Sequence, residues 1–221
     1  MLYHSFKLLG ETDLSIMVSE LMQCPDWEDG ARSATGEGVK LVKRNIQISP
    51  RSETYKALYA RVSELLMNEK YTLDMYICPK KIINVLFTRT SAGMFYGNHV
   101  DAAHVSQGRR DYSFTLFLTN PSKYEGGELI LNVPPEQKAI KLEAGSIIIY
   151  PTKYLHEVRE VTKGERMVCV GWIESYIKKD DEREMLGYIR TAMEHTKNND
   201  NSKSSLILSI AYQRLKKYFG D

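Results

Sequence analysis

A chain of 221 residues with 43% hydrophobic and 26% charged residues can bury a full core, and a formal net charge of +2 supplies no global field for nucleic acid or a membrane surface. No apolar run reaches the length of a spanning helix, so the expectation is neither a nucleic-acid nor a membrane partner. The opening MLYHSFKLLG lacks an apolar stretch ahead of a cleavage site, and Cys24, Cys78 and Cys169 form no CxxC pair, so a reduced, cytoplasmic protein is expected.

Taken in chain order, Thr12 is placed to cap a first helix whose Leu14, Met17, Val18 and Leu21 recur at helical spacing. The segment CPDWEDGARSATGEG breaks it. A second helix begins near Ser52, with Tyr55, Leu58, Val62, Leu65 and Leu66 on one face. Residues 1–81 therefore read as helical and strand support. From Ile82 the pattern changes to eight short runs: INVLFTRT, MFYGNHV, YSFTLFLTN, GELILNV, KAIKLEAG, SIIIYP, LHEVREV and ERMVCVGWI. Turn clusters such as NPSKYEGGE, NVPPEQ and VTKGE separate them, which predicts a double-sheet jelly roll over 82–176. The overall class is α+β with a mainly β core.

After Tyr176 the chain becomes polar and helical. One helix carries Met185, Tyr188, Ile189 and Met193, and a second carries Leu206, Ile207, Ile210, Leu215 and Tyr218. This extension, 177–221, either caps the barrel or forms a homodimer interface.

The informative chemistry lies in His99, Asp101 and His156. Residues two apart on a strand point to the same side, so His99 and Asp101 can converge on one metal. His156 follows 55 positions after Asp101, a separation that lets intervening strands return it across the barrel. Two imidazoles and one carboxylate on one face of a metal leave open positions, an arrangement that favours non-haem Fe(II) oxygen chemistry. Arg166 adds to this. If VTKGE is a tight hairpin turn, Arg166 pairs with Glu160 and shares a face with His156. At ~3.3 Å per residue the two then stand roughly 13 Å apart along the strands, a gap that a five-carbon dicarboxylate and a long arginine side chain can span. A register slip of one residue would reverse the argument.

The segments MFYGNHVD, RRDYSFTLFLTNPSKYEGGELIL and KLEAGSIIIYPTKYLHEVREVTKGERMVCVGWIES resemble the PKHD-type hydroxylases, a branch of the prolyl 4-hydroxylase-like 2-oxoglutarate/Fe(II) dioxygenases. The resemblance runs from about Ile82 to Ser175 and joins the ligand positions to the EGGEL spacer, the YP ahead of His156 and the arginine ten positions after it. It implies a double-stranded β-helix, Fe(II) held by His99, Asp101 and His156, and 2-oxoglutarate held by Arg166. Tyr96 is implied as a hydrogen-bond partner of 2-oxoglutarate or a wall residue, and L-ascorbate is a further candidate cofactor. The carboxylate at Asp101 argues for hydroxylation, because related halogenases leave that position without one.

The expected activity is O2-dependent hydroxylation of an unactivated C–H bond, on a prolyl or lysyl protein side chain or a small metabolite, releasing succinate and CO2. Three alternatives stay open: a cupin-like metal enzyme without 2-oxoglutarate, a non-catalytic metal-binding sensor, and a zinc hydrolase. The polar segment AAHVSQGRR is expected to form a mobile loop over the mouth, with His104 more often solvated than in contact with substrate. Trp172 is read as a core residue that could also wall the pocket.

Overall fold

The computed structural model describes residues 3–34, 37–69, 73, 77–197 and 202–220. The chain opens with β1 (His4–Lys7), α1 (Glu11–Gln23), β2 (Trp27–Asp29), α2 (Glu37–Leu41), β3 (Lys43–Arg44), β4 (Ile46–Ile48) and α3 (Glu53–Asn68). Next come β5 (Pro79–Ser91), β6 (Phe95–His99), β7 (His104–Val105), β8 (Gly108–Arg109), β9 (Tyr112–Phe117) and β10 (Tyr124–Gly126). The barrel is completed by β11 (Leu129–Val133), β12 (Glu136–Ile140), β13 (Ser146–Pro151), β14 (His156–Val158) and β15 (Val161–Ser175). Two helices follow, α4 (Asp180–Lys197) and α5 (Ser202–Phe219).

All eight expected runs are strands. The additional strands β1–β4, β7, β8 and β10 span two to four residues each, too short to show an alternating pattern. The strands form two large antiparallel sheets and a separate two-stranded hairpin, β7–β8. The larger runs β1-β13-β9-β15-β5-β4-β2, with β10 also pairing to β15, and the smaller runs β12-β11-β14-β6-β3. The four N-terminal strands thus extend both sheets.

The larger sheet is covered on both sides, and its period of two divides its residues between them. Val85, Phe87, Phe114, Leu116, Met167 and Cys169 face a core shared with Met17 and Leu21 of α1 and Leu58, Val62 and Leu66 of α3. On the opposite face, Phe117, Ile148 and Val168 pack with Leu129 and Leu131 of the smaller sheet. The rest of that inner face lines a cavity.

Three sequence expectations are corrected. Gly10, not Thr12, is the N-cap of α1, and no side chain caps it. The VTKGE segment is not a hairpin turn: β14 pairs with β11 and β6 in the smaller sheet, whereas β15 begins at Val161 and pairs with β10, β9 and β5 in the larger. Arg166 accordingly lies opposite Thr90, not Glu160. The C-terminal helices bury only part of the expected stripes: Met193, with Ile189 and Leu215 packed alongside, joins Leu186, Tyr212, Cys78 and Ile177 in a small core. Tyr188, Leu206, Ile207 and Tyr218 remain 62–82% exposed. No described helix is long and apolar enough to cross a membrane.

Truncating Leu58, which is 1% exposed, leaves a cavity between α3 and the sheet. Leu58→Ala is expected to cost about 2–5 kcal/mol, and Leu41→Ala, at an exposed position on α2, to stay within about 0.5 kcal/mol, both read from urea denaturation midpoints.

Candidate active site

His99 ends β6 and His156 opens β14, and the two are direct cross-strand partners in the smaller sheet. They therefore meet side by side, not from opposite walls of the barrel. Their ring centroids are 4.2 Å apart. Nδ1 of His99 lies 2.8 Å from the Gly97 carbonyl oxygen, and Nδ1 of His156 lies 2.9 Å from that of Tyr154. A carbonyl only accepts, so each Nδ1 donates and each Nε2 is left to turn inward with its lone pair. Burial, with His156 alongside, pushes the His99 ring down to about 4 against the opposing pull of Asp101. The 3.8 Å approach of His99 Nε2 to Asp101 Oδ1 is thus a meeting of ligand atoms rather than an ion pair.

Asp101 lies just past the end of β6, so strand alternation alone does not aim it. Two donors do. Ser113 Oγ on β9 donates to Oδ2 at 2.7 Å, and Trp172 Nε1 on β15 donates to the same oxygen at 2.8 Å. Burial opposes the charge, but the flanking imidazoles and these two donors outweigh it and hold the carboxyl below the usual carboxylate range. With Oδ2 engaged by two donors, Oδ1 is the freer oxygen. One ligand atom from each of His99, Asp101 and His156 lies within 4.8 Å of the others, and the group could hold a metal ion. This donor set, with a cavity beyond it, suits a divalent ion that keeps open positions.

Arg166 projects from β15 into the same cavity and is 3% exposed. Its Nε has no hydrogen-bond partner, and no described carboxylate forms a salt bridge with it. Burial lowers its pKa from the usual guanidinium value, with Tyr124 and Tyr150 opposing. Glu128 acts on it only without a salt bridge, and a buried cation so weakly compensated is costly and is matched by an anionic ligand. The EGG turn makes room for it. Gly127 has φ +68° and lies so close that a Cβ there would stand 3.1 Å from Arg166 Cδ.

Tyr96 stacks on His99 with ring centroids 3.6 Å apart. Burial and Asp101 raise its pKa well above the usual phenol value, against Arg110, so it remains a protonated donor. Sequence reasoning passed over several cavity residues. Trp172, read mainly as a core residue, is the indole that holds Asp101. Ser113 was missed, although its signal was present: Ser113 and Thr115 alternate with Phe114 and Leu116 in a strand buried on both faces. Lys43 and Arg110 were missed too, and nothing in their local sequence marks them. The segment expected as a loop contains the short hairpin β7–β8, with exposed His104 paired to Arg109 in it.

A jelly roll that gathers two imidazoles, a carboxylate and a buried arginine around one cavity has the architecture of a double-stranded β-helix oxygenase. Residues 85–174 match the 2OG-Fe(II) oxygenase superfamily. Over 186 residues the chain is 42% identical to a PKHD-type hydroxylase of Prochlorococcus marinus strain MIT 9301, covering 83% of each chain. A prolyl-4-hydroxylase of Pseudomonas putida has a similar fold, with a TM-score of 0.55 at 18% identity over 78% of this chain and 92% of that one. A Trichoplax adhaerens prolyl hydroxylase, in complex with a hypoxia inducible factor oxygen degradation domain peptide fragment, has a TM-score of 0.55 at 15% identity over 83% and 86%. The chain belongs to the PKHD-type hydroxylases of the 2OG-Fe(II) oxygenase superfamily. It is an Fe(II)- and 2-oxoglutarate-dependent dioxygenase, which sets aside the alternatives that lack 2-oxoglutarate.

Trp172→Phe removes a donor from a buried carboxylate and is expected to destabilise the metal-free protein by roughly 1.5–3 kcal/mol at neutral pH. Because the folded pKa of Asp101 is depressed, its contribution is present above the unfolded value and lost as pH falls through the folded one. The cost of Trp172→Phe should therefore shrink in acid, which denaturant midpoints at neutral pH and at the lowest pH preserving the fold will show.

Proposed function

We propose that His99, Asp101 and His156 hold Fe(II), that Arg166 holds the distal carboxylate of 2-oxoglutarate, and that the enzyme hydroxylates an unactivated C–H bond. The observation that carries this reading is the opening of the three convergent ligands and of buried Arg166, which has no salt bridge to a described carboxylate, into one cavity. Iron and 2-oxoglutarate, when bound, activate O2, and the reaction leaves succinate, CO2 and a hydroxyl on the substrate carbon.

The protein's part is positioning. Gly97 and Tyr154 carbonyls fix the two imidazoles so that Nε2 faces the metal position. Trp172 and Ser113 keep Asp101 anionic and present Oδ1 to the same point. Arg166 fixes the far end of the cosubstrate, with Tyr124 and Tyr150 beside it. Tyr96 walls the metal side and is placed to donate to 2-oxoglutarate. The apolar layer of Phe117, Leu129 and Val168 keeps the Arg166 end dry, where a carboxylate–guanidinium pair is strongest.

The substrate is a prolyl or lysyl side chain of a protein or a small metabolite. Three free buried thiols accord with a cytoplasmic location. The exposed stripe of Leu206, Ile207 and Ile210 on α5 is the surface a homodimer would use. Sedimentation of wild type against Ile207→Glu is expected to show a dimer that the variant loses.

Anaerobic addition of Fe(II) and 2-oxoglutarate is expected to produce a visible metal-to-ligand charge-transfer band. His99→Ala should abolish it. Arg166→Ala should weaken 2-oxoglutarate binding by roughly a hundredfold or more, as expected for a broken buried charge pair. Iron bound with no band in wild type would remove 2-oxoglutarate from this site.

A further inference from the structure

We propose that the substrate carries an anionic group, a carboxylate or a phosphoryl, which docks between Lys43 and Arg110; this rests on the iron and 2-oxoglutarate reading above. Both cations line the cavity that holds the metal ligands. Neither makes a salt bridge with a described carboxylate.

Lys43 lies on β3, the two-residue edge strand of the smaller sheet, and is 6% exposed. Its ammonium contacts Ser33 Oγ at 2.7 Å and lies 5.1 Å from the centre of the Tyr96 ring. Ser33 in turn engages Gln47 and the Gly30 carbonyl, so this hydroxyl is a shared, neutral partner. A lysine ammonium has three donors and is strongly hydrated in water, so such a setting leaves it under-coordinated.

Arg110 is half-buried. Its guanidinium carbon lies 3.7 Å from the centre of the Trp172 ring, and its Nε is buried without a partner. Its neighbours in sequence do not relieve it, because Arg109 and Asp111 pair with each other at 2.8 Å. The stacking holds the guanidinium against the indole that bonds Asp101, on the reaction side of the cavity.

Charge balance then identifies what is missing. Lys43, Arg110 and Arg166 bring three positive charges to the lining and Asp101 one negative. A divalent iron and a dianionic 2-oxoglutarate add nothing net. Iron is matched by Asp101 and the proximal carboxylate, and Arg166 by the distal one. The two charges left over are those of Lys43 and Arg110: the carboxylate that acts on both is Asp101, already matched to iron, and exposed Asp29 acts on Lys43 only from outside the lining. In a partly desolvated pocket, unmatched cations raise the affinity for an anion and repel another cation. Of the candidate substrates, a free lysyl side chain is therefore disfavoured, and an acidic metabolite or a residue flanked by an acidic side chain is favoured.

The experiment uses the full chain loaded with Mn(II) and 2-oxoglutarate, titrated calorimetrically with sulfate, as a phosphoryl stand-in, and with propionate, as a carboxylate stand-in. Wild type is expected to bind at least one of them at a single site, and whichever binds tighter names the anion. Lys43→Met and Arg110→Met should each weaken that site about tenfold or more, the loss of one charge-assisted contact. Lys43→Arg and Arg110→Lys, which keep the charge, should retain it and guard against variants that merely misfold. The anaerobic Fe(II)–2-oxoglutarate band is recorded for every variant. A missing band in wild type overturns the cosubstrate reading and this proposal with it. A normal band overturns this proposal alone if neither anion binds, or if binding is the same in both Met variants, as it would be for an anion on the metal itself.

Discussion

A strand buried on both faces must satisfy two different environments with alternate residues, and the larger sheet depends on that constraint throughout. On β9, Phe114 and Leu116 enter the helix-covered core, while Ser113 and Thr115 face inward. On β15, Met167 and Cys169 do the first, while Arg166, Val170 and Trp172 do the second. One set of residues anchors the sheet against α1 and α3, and the other builds the site. The residues that support the site cannot turn away from it without exposing the core behind them.

The two sheets contribute differently. The smaller sheet presents the imidazoles as a cross-strand pair, their rings fixed by backbone carbonyls. The larger sheet supplies the groups that act on charge: Ser113 and Trp172 on the carboxylate, and Arg166 deeper in the cavity. Asp101 joins them, since it leaves the smaller sheet just past β6 and is held by donors from the larger. Bringing the sheets together therefore assembles the metal site, and loss of either donor to Asp101 is felt in fold and site alike.

The cavity is rich in cations that the protein itself does not neutralise. Arg166 and Lys43 are almost fully buried and Arg110 is half-buried, and only Asp101 offsets them within the lining. Such an arrangement is unfavourable in isolation and becomes favourable once anions enter, so ligand binding and stability should be coupled in this enzyme.

Much was legible in the sequence: the eight barrel strands, the helix over Leu58 and Val62, and the identity of His99, Asp101, His156 and Arg166 as residues that share a site. The strands and the helix follow from local periodicity, which a linear pattern carries; the joint site follows from side-chain chemistry together with the resemblance of the flanking motifs to the PKHD-type hydroxylases. The way Arg166 reaches the site was not legible. A hairpin between β14 and β15 placed it near His156 on paper, but the chain crosses between sheets at that point, and the nearness comes from two facing sheets. The stacking of Arg110 on Trp172, the burial of Lys43 and the bond from Trp172 to Asp101 were invisible for the same reason. Each joins residues distant in sequence, or depends on which wall of the cavity a short strand happens to border. Residue type and period are local properties of the chain, whereas charge compensation and burial exist only once the sheets have packed.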